Sequence, residues 1–93
     1  MDKRQLVAAA ARRSDLTQRQ VREALDALLE TIAETLASGE TVALADFGRF
    51  EMREYRGRRL RRFDGPGHYF VAGRQVPVFR PSAVLRRRLR GES

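Results

Sequence analysis

Arginine side chains are concentrated in one stretch of the sequence, residues 53–62 (Arg-Glu-Tyr-Arg-Gly-Arg-Arg-Leu-Arg-Arg), which contains six arginines in ten residues. A guanidinium group is a permanent cation, and its planar fork of N–H donors fits phosphate oxygens. The stretch is followed by turn-like residues 63–67 (Phe-Asp-Gly-Pro-Gly) and then by residues 68–71 (His-Tyr-Phe-Val). We therefore predict a basic β-hairpin that binds a polyanion.

The sequence lacks the combinations of residues that most enzymes use for catalysis. His68 is the single histidine, the chain has no cysteine, and no pair of carboxylates falls near a predicted pocket. General-base, nucleophilic and zinc chemistry therefore have no candidate groups. The acidic row Glu23, Asp26, Glu30 and Glu34 is typical of a solvated helix face rather than of a metal site. We expect a binding protein and not an enzyme, with no metal, cofactor or small-molecule substrate.

The charge is distributed unevenly along the chain. Residues 1–48 hold six basic and eight acidic side chains (net −2), residues 49–80 hold nine and three (net +6), and residues 81–93 hold four and one (net +3). Such asymmetry indicates nucleic acid or another anionic surface as the partner. Of the 19 basic residues 18 are arginine, which suits phosphates and narrow minor grooves.

The length of 93 residues predicts one domain with a modest core, so we expect a partner chain to contribute. The absence of cysteine fits a reducing cytoplasm. The start of the sequence has no long apolar segment, and no later apolar run has the length of a membrane span. These features predict a soluble intracellular protein.

Two amphipathic helices are predicted at the start of the chain. The first covers residues 3–13, and the second, about 20 residues long, begins with a capping box formed by Thr17 and Gln20 and ends near Gly39. The second helix carries an apolar stripe, which consists of Val21, Leu25, Leu28, Leu29, Ile32 and Leu36.

The alternating pattern after Gly39 predicts strands. Residues 41–44 form the first, and a second runs through Met52 into the arginine-rich stretch. Residues 68–79 return antiparallel to it, with Pro77 suggesting an edge position or a point where the pairing changes. A short helix follows, with Ser82 as its N-cap and Gly91 at its end.

These features together resemble the bacterial HU and IHF histone-like DNA-bending proteins. The resemblance covers nearly the whole chain. It rests on Leu16-Thr17 at the start of the second helix, on residues 36–40 (Leu-Ala-Ser-Gly-Glu) at its end, on residues 47–50 (Phe-Gly-Arg-Phe), and on residues 76–82 (Val-Pro-Val-Phe-Arg-Pro-Ser). The Phe-Gly pair in residues 47–50 and the Val-Pro-x-Phe run in residues 76–82 are more specific together than either is alone.

The resemblance implies an α+β fold of the HU/IHF type. It contains an N-terminal helical pair, a three-stranded antiparallel sheet with a long protruding β-hairpin arm, and a short C-terminal helix. Residues 1–93 would form one DNA-binding domain, with the helical pair and first strand in 1–48, the sheet and arm in 49–80, and the last helix in 81–93. The implied assembly is an obligate intertwined homodimer, or a heterodimer with a related chain, located in the bacterial nucleoid.

The implied activity is the bending or compaction of double-stranded DNA by two arms that enter the minor groove. The expected DNA-binding residues are Arg53, Arg56, Arg58, Arg59, Arg61, Arg62, Phe63, Pro66, Arg74, Arg80, Arg86 and Arg87. The expected dimer core consists of Leu25, Leu29, Ile32, Leu36, Phe47, Phe50 and Phe79.

The sequence departs from the family at the tip of the arm. The family usually carries a Gly-Arg-Asn-Pro-x-Thr-Gly run whose proline enters a base step, and the gapless register places Phe63 at that proline. Minor-groove proteins commonly insert an apolar side chain between base steps. We expect Phe63 to be this wedge, with Pro66 as the alternative; Phe63 packing on Tyr69 or Phe70 across the hairpin is the other interpretation.

Pairing of Phe63 with His68 would place Arg61 opposite Phe70 and Arg62 opposite Tyr69. Both faces of the arm would then carry arginine beside an aromatic ring, held by cation–π contact.

Other partners fit the sequence less well. Weak sequence preference of the HU type is favoured, whereas residues 79–81 (Phe-Arg-Pro) look more like IHF and leave a site-preferring bender as the alternative. An RNA-binding or ribosome-associated module is a second alternative, because basic hairpins also bind RNA. A membrane surface is disfavoured, since the basic residues lie in a predicted hairpin without a broad apolar face.

Overall fold

The computed structural model describes residues 1–62 and 65–91. Its elements follow the predicted order. They are α1 (Lys3–Arg12), α2 (Gln18–Ala37), β1 (Val42–Leu44), β2 (Gly48–Tyr55), β3 (Arg58–Arg61), β4 (His68–Val71), β5 (Arg74–Pro81) and α3 (Ala83–Leu89). The chain divides into two compact units, Met1–Glu34 and Thr35–Ser93. The predicted α+β class, with an N-terminal helical pair, a three-stranded sheet, an arm and a last helix, is confirmed.

Both N-terminal helices begin with a reciprocal cap. In α2, the Gln20 N–H donates to Thr17 Oγ1 at 3.1 Å and the Thr17 N–H donates to Gln20 Oε1 at 2.9 Å, as predicted. In α1, Asp2 and Gln5 exchange the same two bonds at 2.9 Å, a cap that the sequence reasoning missed. Each pair satisfies two backbone donors that a helix start otherwise leaves open.

The end of α2 is fixed by glycine. Gly39 has a φ of +88°, and the Glu40 N–H donates to the Thr35 carbonyl at 3.1 Å, which is the outer bond of a Schellman motif. The predicted stop at Gly39 is confirmed, and the chain turns there toward β1.

The unit Met1–Glu34 contains an open apolar groove of about 380 Å³, lined by side chains of α1, of α2 and of the segment between them. Val7 of α1 lines the groove and is 3% exposed, and it is the one buried apolar side chain among the residues that the structure describes. On α2, Leu28 is 60% exposed and Leu29 is 47% exposed. This unit therefore leaves much of its apolar surface in water.

In the unit Thr35–Ser93, β1, β2 and β5 form an antiparallel sheet with β2 in the centre. Pro77 lies on β5, an edge strand of this sheet, as predicted. The turn into β2 is tight, because Asp46 adopts a φ of +64° and the Phe47 N–H donates to the Leu44 carbonyl at 3.0 Å. Aspartate tolerates this left-handed conformation better than most residues.

Alternation along β2 and β5 separates two faces of the sheet. The aromatic face carries Phe50 and Met52 of β2 with Pro77 and Phe79 of β5, and the Phe50 and Phe79 rings lie 5.0 Å apart between centroids. Phe47 extends this cluster, with its ring 5.5 Å from that of Phe79. The opposite face, which we call the arginine face, carries Arg49, Glu51 and Arg53 of β2 with Arg74 and Arg80 of β5.

The arm consists of β3, β4 and the turn between them. Tyr55 pairs with Arg74 at the end of the β2–β5 ladder, and Arg58 pairs with Val71 at the start of the β3–β4 ladder. The register is therefore the same on both sides of the interruption, with no residue inserted. The interruption contains Gly73, where a Cβ atom would lie 2.8 Å from the Tyr55 carbonyl oxygen. The sheet and the arm are thus parts of one long hairpin.

We predict that Gly48→Ala destabilises the fold by about 1–3 kcal/mol, the usual cost of overpacking. A Cβ at Gly48 would lie 2.6 Å from both the Arg80 carbonyl oxygen and Phe79 Cζ. The free energy of unfolding from urea titration is the measurement. Gly65→Ala is the matched control, because nothing lies within 4 Å of a Cβ there. Equal stability of the two variants would contradict the prediction.

Candidate nucleic-acid interface

The predicted DNA-binding arginines lie on the long hairpin and on α3. Arg53 lies on β2, Arg58, Arg59 and Arg61 lie on β3, Arg74 and Arg80 lie on β5, Arg86 and Arg87 lie on α3, and Arg56 and Arg62 lie just outside the strands. All ten are exposed and belong to the unit Thr35–Ser93. Pro66 is exposed in the turn of the arm, whereas Phe63 lies outside the described residues.

The predicted cross-strand partners in the arm are wrong by two residues. Arg61 pairs with His68, Leu60 with Tyr69, and Arg59 with Phe70. The ladder closes with the Arg62 N–H donating to the Gly67 carbonyl at 3.1 Å, and Gly67 adopts a φ of +103°. Gly67 therefore ends the turn as a paired residue, whereas the prediction placed it inside the turn.

A slip of two residues keeps each side chain on its predicted face and changes its partner. One face of the arm carries Arg59 and Arg61 with His68 and Phe70, and Phe70 is 69% exposed. The other face carries Leu60, which is half-buried, opposite Tyr69. Arginine therefore lies opposite an aromatic ring on the first face, at Arg59 and Phe70. On the second face, Tyr69 lies opposite Leu60 and not opposite Arg62 as predicted.

At the base of the arm, the Arg53 guanidinium lies over the Tyr55 ring at 5.7 Å from the centroid. Such a cation–π contact restricts a long side chain without neutralising its charge. The contact resembles those predicted for the arm, but it lies on β2 in the three-stranded sheet. It holds one guanidinium close to the point where the arm begins.

Glu51 lies on the arginine face between two arginines, and sequence reasoning missed its role. Its carboxylate accepts a hydrogen bond from Arg80 Nε, and its other oxygen lies 3.4 Å from Arg49 Nε. The hydrogen bond from Arg80 is the main cause that lowers the pKa of Glu51, and the charges of Arg49 and Arg80 add to it against the opposing effect of desolvation. The alternation of Arg49 and Glu51 on β2 was the available signal, but the cross-strand neighbour Arg80 could not be identified without the register.

The predicted dimer-core residues are half-buried or exposed. Leu25, Ile32, Leu36 and Phe50 are half-buried. Leu29, Phe47 and Phe79 are 47%, 48% and 40% exposed. These side chains therefore leave apolar surface exposed in the single chain.

Within residues 1–62 and 65–91, no group of three or more histidine, cysteine, aspartate or glutamate side chains could hold a metal ion. No helix in the part of the chain that the structure describes is long and apolar enough to cross a membrane.

The sequence and the fold both match proteins of known type. The family model described as bacterial DNA-binding protein matches residues 1–90. DNA-binding protein HU of Staphylococcus aureus is 36% identical over 86 residues, covering 92% of this chain and 96% of the relative. DNA-binding protein HU 1 of Bacillus subtilis is 30% identical over 92 residues, covering 99% and 100%.

Among solved structures, HU of Anabaena in a cocrystal with DNA superposes with a TM-score of 0.83 at 35% identity, covering 96% of this chain and 97% of that one. The V42I mutant of HU from Thermotoga maritima gives a TM-score of 0.73 at 30% identity, covering 96% and 99%. The resemblance found in the sequence is therefore confirmed across nearly the whole chain. The chain belongs to the family of bacterial DNA-binding proteins that includes HU.

Proposed function

We propose that this chain is an architectural DNA-binding protein of the HU type that bends or compacts duplex DNA. The arm carries the proposal. It is an arginine-rich hairpin, continuous in register with the sheet, in a chain that superposes at a TM-score of 0.83 on an HU protein cocrystallised with DNA. Architectural proteins of the minor groove combine cationic side chains with an apolar wedge.

The arm arginines and the arginine face would contact phosphates and the floor of the minor groove. Arg58, Arg59 and Arg61 project from β3, and Arg53, Arg74 and Arg80 project from the sheet, with Arg86 and Arg87 of α3 as flanking phosphate contacts. Backbone contacts position a protein on DNA without reading its sequence. We therefore propose weak sequence preference, and strong selection of one site among random duplexes would instead favour an IHF-like role.

The functional unit proposed is a homodimer in which residues 1–93 of each chain form one intertwined domain. Exposure supports a second chain, because Leu28 of α2 is 60% exposed and Phe47 beside the sheet is 48% exposed. The match of the family model to residues 1–90 supports one domain. The bacterial relatives support a location in the cytoplasm on the nucleoid.

The dimer predicts a sedimentation mass near twice the chain mass of 10.6 kDa. Phe79→Ala should weaken the dimer and lower its unfolding free energy by about 3–5 kcal/mol, since Phe79 contacts both Phe47 and Phe50. The unfolding temperature should rise with protein concentration. Leu89→Ala is the control, because Leu89 on α3 is 75% exposed and outside the proposed core. A native chain that sediments as a monomer would refute the dimer.

DNA binding is tested by the salt dependence of affinity, measured by fluorescence anisotropy of a labelled duplex. Arg61→Gln should lower the affinity roughly tenfold at low salt and reduce the slope of log K against log salt by about 1.8, for two lost phosphate contacts per dimer. Arg19→Gln is the matched control, since Arg19 lies on α2 and pairs with Glu23 at 3.2 Å. Equal effects of the two variants, or preference for RNA over duplex and gapped DNA in competition, would contradict the proposal.

For the wedge we propose Phe63, with Pro66 as the alternative. Support for Phe63 comes from the alignment of the flanking motifs without a gap and from the adjacent arginines. Phe63→Ala should reduce the bend of gapped DNA and lower its affinity roughly tenfold, since a base–aromatic contact contributes about 1–3 kcal/mol. Energy transfer between labelled duplex ends measures the bend. An unchanged bend in Phe63→Ala together with a lost bend in Pro66→Ala would assign the wedge to Pro66.

A further inference from the structure

Two arginines face each other across the sheet at one position. Arg49 of β2 and Arg80 of β5 are directly paired, and they form the single arginine–arginine pair among the described cross-strand pairs. Like charges directly opposite each other destabilise an antiparallel ladder. The other arginines of β2, β3 and β5 lie opposite residues that are not arginine or lysine.

Glu51 occupies the position that relieves this repulsion. It follows Arg49 by two residues on the same face, and it contacts Nε of both Arg49 and Arg80. The Glu51 side chain is 23% exposed, whereas those of Arg49 and Arg80 are 54% and 45% exposed. The Glu51 side chain is therefore less exposed to solvent than the two arginine side chains that it contacts. It is also the only carboxylate on the arginine face of β1, β2 and β5.

Space for another anion lies next to the same arginines. A depression of about 190 Å³ is lined by Arg49 and Arg80 together with Gly48 and Ser82. Both guanidinium groups have N–H donors beyond the Nε that faces Glu51, because an arginine side chain carries five. These remaining donors of Arg49 and Arg80 are the groups from which a phosphate oxygen in the depression would accept hydrogen bonds.

We propose that Glu51 competes with the DNA phosphate for Arg49 and Arg80, so that it stabilises the free protein and limits its affinity for DNA. The inference rests on the proposed DNA binding. In the free protein, Glu51 offsets one of the two positive charges and holds the pair together. In the complex, a phosphate takes over part of this role, and the Glu51 carboxylate then opposes the phosphate that approaches.

Glu51 has two opposing effects on DNA binding, because it orders the guanidinium groups and also competes with the phosphate for them. Holding the guanidinium groups in place favours binding, but ion pairs at the surface order their partners weakly. Removing the carboxylate frees one cation per chain for a phosphate and removes a repulsive charge, and each phosphate contact changes the salt dependence measurably. The gain in affinity therefore exceeds the loss of order.

The test is Glu51→Gln, which keeps the shape of the side chain and removes its charge. We expect duplex DNA to bind about 3–10-fold more tightly at low salt, with a slope of log K against log salt steeper by up to about 1.8 for two chains. The free variant should melt at a lower temperature than the native protein, and saturating DNA should reduce the difference. Glu23→Gln is the matched control, because Glu23 pairs with Arg19 on α2 and carries the same charge.

The background Arg49→Gln/Arg80→Gln separates competition from a general effect of net charge. Glu51→Gln added to this background should raise the affinity much less than it does in the native protein, because only the direct repulsion between the carboxylate and the phosphate is then removed. An equal gain in this background, an equal gain in Glu23→Gln, or unchanged or weaker binding of Glu51→Gln alone would each overturn the role of Glu51 while native binding stands. A native protein that does not bind duplex DNA would overturn the proposed function and this inference together.

Discussion

The unbroken antiparallel register of the long hairpin is the constraint on which the rest of the unit Thr35–Ser93 depends. It begins where Gly48 pairs with Pro81 and continues to the pair of Arg61 and His68. Because side chains alternate with a period of two, one register fixes both the aromatic face and the arginine face. A slip of a single residue would place Phe50 and Phe79 among the arginines. The register that packs the aromatic cluster therefore also places the arginines on the opposite face of the sheet.

Contacts around Gly48 connect the packing of the aromatic cluster to the placement of the arginines. Its missing side chain admits the Phe79 ring and the Arg80 carbonyl, and the adjacent Phe47 carbonyl accepts a hydrogen bond from the Ser82 N–H at 2.9 Å. Ser82 in turn caps α3, where its Oγ accepts from the Leu85 N–H at 3.0 Å. The turn before β2, the aromatic cluster and the arginine-rich α3 are thus joined through a few backbone contacts. In the same cluster Phe47 and Phe79 remain 48% and 40% exposed.

Local features of the fold were predictable from the sequence because neighbouring residues determine them. The capping box of Thr17 and Gln20, the stop at Gly39 and the N-cap Ser82 each depend on residues within one turn, and each is present. The register of the arm depends on how the turn closes, and the run Asp-Gly-Pro-Gly allows more than one closure. That register determines the partners of Arg59 and Arg61 and the contact of Glu51 with Arg80. These contacts could therefore not be predicted from the sequence before the register was known.

Charge placement along the hairpin shows that the protein limits repulsion among its arginines. In the arm, Arg58, Arg59 and Arg61 lie opposite Val71, Phe70 and His68, so the ladder forms without direct pairing of cations. In the sheet, the facing arginines Arg49 and Arg80 share one carboxylate. The arm thus places its cations opposite apolar and aromatic residues of the facing strand, whereas the sheet neutralises part of its charge. Since like charges held close together raise the free energy of the folded chain, a polyanion that binds the hairpin also stabilises it.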